Sequence, residues 1–161
     1  MRAFSLILLL VFVASCGGSK NAPGGDRNIK NKDLSLRERI VATASGYVGT
    51  DYKYGGTTDR GMDCSGLLYT SFAAHGVQLP RTSLAMSREA RAIPKSKAQV
   101  GDLVFFRTNK SKRSVNHVGV ISRIEQGRIY FLHSTSSRGV IESHSEHVYW
   151  SKAVDHYGSV L

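Results

Sequence analysis

Apolar residues recur along this chain with two different periods, and the change falls near Pro94. Before it, Leu36, Ile40, Val41, Ala44 and Val48 stand at helical spacing. Ser35 and Glu38 fit a capping box, in which each side chain satisfies a backbone donor near the other. Together they predict a helix from about Leu36 that Gly49 can end. Residues 50–62 read as a loop rich in Gly and Thr. A second helix should start at Asp63 and run to near Gly76, because Asp is a good N-cap and Gly a good C-terminal stop. Leu67, Leu68, Phe72 and Ala73 supply its buried face. Pro80 stops any continuation, and a short helix from Ser83 to Ala92 is closed by Pro94. Beyond Pro94 the pattern becomes short β-type runs at residues 103–106, 118–121, 129–132 and 140–141, separated by turn residues. Helices first and strands later predict an α+β domain, with N-terminal helices packed on a central antiparallel sheet.

The first residues follow a different rule. Met1-Arg2 precedes an apolar run over residues 3–13, then Ala14-Ser15-Cys16. A basic start and an apolar stretch of roughly 7–15 residues mark a secretory signal, and the run is too short to span a bilayer. The sequence Val13-Ala14-Ser15-Cys16 resembles the lipobox of bacterial lipoproteins, in which cleavage leaves the cysteine as a lipid-bearing first residue. Residues 17–33 hold almost nothing apolar and read as a flexible tether with a reach of about 20–25 Å. The expected organisation is therefore a lipoprotein signal peptide at 1–15, lipidated Cys16 and a tether at 16–33, and one domain at 34–161.

Charge narrows the partners only a little. The 161 residues carry 22 Lys and Arg against 12 Asp and Glu, a formal net charge of +10. Such a charge attracts anionic surfaces in general. The basic residues, Arg81 and Arg123 among them, are scattered, and no nucleic-acid motif accompanies them. No nucleic-acid partner is expected, and the domain reads as a monomer with a solvated basic surface.

Candidate chemistry centres on Cys64. Cys16 and Cys64 are the only cysteines. Lipidation of Cys16 would leave Cys64 as a free thiol in an oxidising compartment, where it is either buried or kept for reactivity. Directly after the expected N-cap Asp63, Cys64 falls in the first turn of a helix. Unpaired N–H groups there should lower the thiol pKa and can donate to an oxyanion formed beside the sulfur. A base is available from the strands. His117 opens the run 117–121 and His133 closes the run 129–133, with a turn at Gln126-Gly127 between them. An antiparallel hairpin folded there sets His133 opposite His117 or Gly119, and either register leaves both imidazoles on one face. His117 could then deprotonate Cys64, with His133 holding His117 in orientation. His144 and His147 are a weaker pair, three residues apart. A zinc site built on them with Cys64 and a third histidine remains an alternative on the residues alone. No dinucleotide or phosphate-loop pattern is present, so no cofactor is expected.

Five motifs occur in the order found in NlpC-type cell-wall cysteine peptidases, and the chain resembles that family over about residues 36–150. They are Tyr52-Lys53-Tyr54-Gly55-Gly56, Asp63-Cys64-Ser65-Gly66, Gly101-Asp102-Leu103-Val104-Phe105-Phe106, Asn116-His117-Val118-Gly119 and Phe131-Leu132-His133-Ser134. The resemblance implies a papain-like fold. It also implies hydrolysis of peptidoglycan stem peptides, usually between D-γ-glutamyl and a diamino acid. It assigns Cys64 as nucleophile, His117 as base and His133 as the orienting residue, with no metal. Tyr52 matches a tyrosine near the oxyanion hole, and Asp63 and Ser65 match positions that help hold substrate. Gly17 after the lipobox cysteine lacks the Asp of inner-membrane lipoproteins, so an outer-membrane anchor facing the periplasm is expected. Two rival readings share these motifs: an envelope lipoprotein that binds peptidoglycan without cleaving it, and an amidase or acyltransferase on the same fold.

Overall fold

The computed structural model describes residues 34–109 and 114–161. The expected signal peptide, Cys16 and the tether lie outside the described residues. Helix α1 spans Leu36–Ser45 and begins with the capping box: Ser35 accepts from the Glu38 N–H, and the Glu38 carboxylate accepts from the Ser35 N–H. It ends sooner than its apolar spacing predicts. Gly46 caps it, the chain turns through Gly49 at φ +92°, and Val48 is left 53% exposed. Consecutive reverse turns from residue 46 carry Val48 off the helix face.

The loop that follows is more ordered than its composition suggests. It folds a small hairpin, β1 (Thr57–Thr58) and β2 (Gly61–Met62), which delivers the chain to helix α2 (Cys64–Ala73). Asp63 caps α2 through the Gly66 N–H, as expected, and the chain leaves the helix by a left-handed Gly76. Gly66 has a separate steric role. The Gly56 carbonyl passes so close that any Cβ at Gly66 would collide with it, so the turn leading into the hairpin lies flat on the first turn of α2.

Helix α3 covers Ser83–Glu89 and gives way to strand β3 (Arg91–Ile93) before Pro94. Then come β4 (Leu103–Phe106), β5 (His117–Glu125), β6 (Arg128–Thr135), β7 (Gly139–His144), helix α4 (Val148–Ala153) and β8 (Val154–Ser159). The large sheet has the order β3-β8-β4-β5-β6-β7 with every neighbour antiparallel. The fold is the expected α+β arrangement.

Both faces of this sheet are covered, so all four residues of β4 are buried. One face carries Leu103, Phe105, Val118, Val120, Leu132 and Val140 against Ile40, Ala44, Leu67, Leu68 and Phe72 of α1 and α2. The other carries Val104, Phe106, Ile121, Ile129 and Phe131 against Trp150 and Ala153 of α4. This second layer and strand β8 were absent from the periodicity. Arg37 of α1 reaches the carboxylate of buried Asp102 at 2.6 Å and fastens the helix to the entry of β4.

Candidate active site

Helix α2 and the β5–β6 hairpin meet at one cleft of about 430 Å³. Its walls include Tyr52, Cys64, Asn116, His117, Arg138 and Trp150. Cys64 stands at the first position of α2, where backbone N–H groups have no helical partners. The N–H groups of Val118, Ser65 and Cys64 itself are directed at its sulfur. The thiol is free.

The hairpin holds the two histidines as its sequence implies. The turn is tight, with Gln126 at φ +50° and Gly127 at φ +79°. The pairs Glu125↔Arg128 and Val120↔Leu132 bracket an irregularity between Ile121 and Arg123. Continuing that register sets Gly119 beside His133, so His117 and His133 are diagonal neighbours on one face. Their contact is direct: His117 Nε2 lies 2.9 Å from His133 Nδ1. Strand β6 runs past His133 to Thr135, so this histidine is an interior strand residue and is fully buried. Gly119 is needed here because a Cβ would press on the Phe131 ring and the Leu132 carbonyl.

Two residues that the motifs do not point to complete this face. Trp150 stacks on His117 with centroids 5.4 Å apart and planes at 20°, and meets His133 edge-on at 4.6 Å. Ser143 of β7 places Oγ 2.9 Å from His133 Nε2. The only sequence signal for either is the alternation of β7 and the lone tryptophan.

Burial governs the ionisation of the site. It pushes the Cys64 thiol up to about 11, despite the N–H groups that favour a thiolate. The expectation of a lowered thiol pKa is therefore corrected: helix α2 starts under the hairpin loop and β5, and the loss of water outweighs the helix terminus. Desolvation likewise lowers His117 to about 4. His133 is lowered by burial first, then by the charges of His117 and Arg138. Both shifts favour a neutral thiol and a neutral imidazole, and a neutral imidazole keeps one lone pair that can accept a proton. Tyr52 is 36% exposed at the cleft edge, with its phenol pKa raised by desolvation and then by Cys64 and Asp63. It is a neutral O–H donor.

Asp63 and Ser65 flank the nucleophile. Both are buried, do not line the cleft and hydrogen-bond to Arg81. The Asp63 carboxylate accepts from Gly55 N–H at 2.8 Å, Gly66 N–H at 2.6 Å, the Ser65 hydroxyl and both Arg81 terminal nitrogens. Burial raises its pKa, but Arg81 and the Gly66 and Gly55 N–H groups outweigh that and hold it below the ordinary value. Arg81 also reaches the Gly56 carbonyl. These side chains brace the loop and helix start that present Cys64. In the sequence Arg81 is indistinguishable from the other basic residues.

The remaining histidines are elsewhere. His75 pairs with Thr43, His156 with Asp155, and His147 caps α4. His144 and His147 lie 6.3 Å apart between ring centroids. Among the described residues no group of three His, Cys, Asp or Glu could hold a metal ion. No helix among them is long and apolar enough to cross a membrane.

The model of the NlpC/P60 family matches residues 49–159, a span holding the whole cleft. The chain belongs to the NlpC/P60 family. It is 41% identical over 127 residues to a Haemophilus influenzae protein named probable endopeptidase NlpC homolog, covering 78% of this chain and 64% of that one. It is 31% identical over 131 residues to the Escherichia coli murein DD-endopeptidase MepS/murein LD-carboxypeptidase, covering 81% and 66%. The chain thus spans just under two thirds of these two NlpC/P60 relatives. A crystal structure of an NlpC/P60 family protein from Bacillus cereus superposes with a TM-score of 0.69 at 30% identity, covering 78% of this chain and 40% of that one.

Proposed function

We propose that this chain is a peptidoglycan endopeptidase that cleaves a stem-peptide amide through a thioester on Cys64. The observation that carries the reading is a thiol at a helix start and His117 lining one cleft, with buried His133 hydrogen-bonded behind His117. As His117 Nδ1 takes the thiol proton, sulfur bonds to the carbonyl carbon. The oxyanion forms beside the first N–H groups of α2 and the Tyr52 hydroxyl. Collapse breaks the C–N bond, and the proton on His117 goes to the departing amine. Water then attacks the thioester, giving up its proton to His117, and releases the carboxylic acid and the thiol.

The substrate class rests on the relatives' names and on the cleft. MepS is named for murein, and the probable endopeptidase homolog shares the family. The cleft edge carries Arg138 with Ser136 and Ser137, donors suited to a peptide bearing carboxylates. A bond between D-γ-glutamyl and a diamino acid leaves a free α-carboxylate on the residue that bears the scissile carbonyl, which fits a cation at the cleft edge. A lipid on Cys16 would hold the enzyme in the envelope near such a polymer, with the periplasmic side of the outer membrane as its place.

The test is digestion of purified peptidoglycan with the full chain beside its Cys64→Ala variant, with new termini identified by mass spectrometry. New γ-glutamyl carboxylates made only by the unsubstituted chain are expected. Cleavage undiminished by Cys64→Ala would refute the nucleophile, and binding without cleavage by both proteins would favour a non-catalytic binding role. Metabolic labelling with a radioactive fatty acid, beside Cys16→Ser, tests the anchor: label retained in that variant would refute it.

A further inference from the structure

The His117–His133 contact has a partner behind it. His133 Nδ1 faces His117, and His133 Nε2 lies 2.9 Å from Ser143 Oγ. Ser143 sits on β7 directly opposite Phe131, and His133 is opposite Ile141, so serine and histidine are diagonal neighbours on the face that Trp150 covers. Resting on the peptidase reading, we propose that Ser143 is a positioning residue that accepts the Nε2 proton of His133 and thereby sets His117 as the base.

Proton bookkeeping along the chain carries the argument. A neutral imidazole has one N–H and one lone pair. His117 Nε2 is engaged by His133, so only His117 Nδ1 is left to receive the thiol proton. That nitrogen must be unprotonated, so the proton of neutral His117 is on Nε2 and points at His133 Nδ1. His133 Nδ1 must then accept, which puts the proton of His133 on Nε2. Nothing but the Ser143 hydroxyl stands at hydrogen-bond distance from that N–H among the described residues. The opposite register is also self-consistent: Ser143 donates to Nε2, His133 donates from Nδ1, and His117 carries its proton toward the cleft, where it cannot act as a base. Once His117 is an imidazolium, both of its nitrogens carry protons and only the first register survives. Acceptance by Ser143 is thus demanded most when positive charge develops on His117, which is where an interaction accelerates a reaction. A buried His133 whose N–H lacked an acceptor would oppose that charge.

Nitrogen-15 histidine spectra of the full chain, with Ser143→Ala and Ser143→Thr, test this. At neutral pH His133 is expected to be protonated on Nε2 in the unsubstituted chain. Ser143→Ala should lose that single tautomer and slow Cys64 alkylation by iodoacetamide at pH 7 by about tenfold or more, the range for losing a hydrogen bond to a charged group. Ser143→Thr keeps the hydroxyl on a strand position and should restore alkylation to within about threefold. Alkylation needs no peptidoglycan, so it reads the relay even if the assigned substrate is wrong. A proton on His133 Nδ1 in the unsubstituted chain would overturn the proposal. So would an alanine variant with unchanged tautomer and alkylation rate. If the alanine variant does not fold, the tautomer of the unsubstituted chain and the rescue by threonine still decide.

Discussion

Trp150 lies nearly parallel to His117, with ring centroids 5.4 Å apart, and covers one face of that ring at the cleft wall. It is 6% exposed and also packs edge-on against Phe106, Phe131 and His133. One side chain therefore joins the core of the second layer to the chemistry of the cleft. Trp150→Ala should cost about 3–5 kcal/mol of stability, as large-to-small core changes do. It should also admit water to His117 and move its pKa back toward the ordinary histidine value. Trp150→Phe keeps a ring and should lose less of both. Urea melts give the first quantity, and the pH dependence of Cys64 alkylation gives the second. An alanine variant with an unmoved acid limb would mean that β5 and α2, not the indole, keep His117 dry.

The pH dependence follows from neutral, buried groups. His117 can accept a proton only while neutral, and burial lowers it to about 4. The acid limb of kcat/KM should therefore fall near pH 4 rather than near 6.5, with activity lost below it. Stability follows the same sign. Between pH 6.5 and about 4 the unfolded chain binds protons at His117 and His133 that the folded chain refuses, so stability drops as pH falls through that window. The loss is on the order of 1.4 kcal/mol per pH unit for each histidine. Asp63 contributes lower down, because its folded pKa lies below the ordinary 3.8 and its stabilisation is lost only as pH falls through that range. At the alkaline end the folded thiol, raised to about 11, stays protonated where the unfolded one ionises, so stability also declines above pH 9. Denaturant melts at pH 7.5, 5.5 and 4.5 check the histidine window, and a flat profile there would contradict it.

The fold was legible wherever a residue's surroundings are local. The Ser35 and Asp63 caps, the 103–106 run and the Gln126-Gly127 turn each depend on a few neighbours, and all lie where the sequence puts them. The diagonal approach of His117 and His133 was legible for the same reason, since a tight hairpin leaves few registers. What escaped depends on distant parts of the chain. Helix α4 has six residues, too few to display a period, and β8 reads Val-Asp-His-Tyr-Gly-Ser, without alternation. That strand is ordered because β3 and β4 hold its two edges. The ionisation of Cys64 was misread because a helix start is a local feature, whereas burial comes from the β5 strand and the loop laid over it. Arg81 was missed because a half-buried ion pair does not differ in sequence from a surface charge.

That ion pair can be broken to see what it holds. Arg81 makes two contacts with Asp63, at 3.0 and 2.9 Å, and one with Ser65 at 2.9 Å. Truncating one partner leaves the other charge half-buried, and the general cost of 3–5 kcal/mol for a buried pair must be reduced because Arg81 remains a third exposed. Arg81→Ala should destabilise by about 2 kcal/mol and lower kcat, because the Gly55-Gly56 loop and the α2 start lose their brace. Arg81→Lys restores the charge but not the forked geometry and should recover stability better than activity. Calorimetry and turnover on peptidoglycan fragments separate the two, and equal recovery of both would show that charge alone matters.

Arg138 offers a test of substrate recognition in which an effect on the relay can be told apart from one on the substrate. It lines the cleft beside Ser136 and Ser137, and among the described residues its guanidinium has no acidic partner within ion-pair distance. Its charge is felt at His133, which lowers that imidazole further. If it meets the α-carboxylate of a γ-glutamyl residue, Arg138→Gln should reduce kcat/KM about tenfold or more on a stem peptide with a free carboxylate, the scale of a charge-assisted hydrogen bond. The same substitution should change little on a substrate whose carboxylate is amidated. A loss equal on both substrates would instead assign Arg138 to the electrostatics of His133, because removing a nearby cation changes the relay whatever the substrate carries. Comparing the two substrates in both proteins isolates the pairwise part, and a shift in the acid limb on either substrate would expose the other.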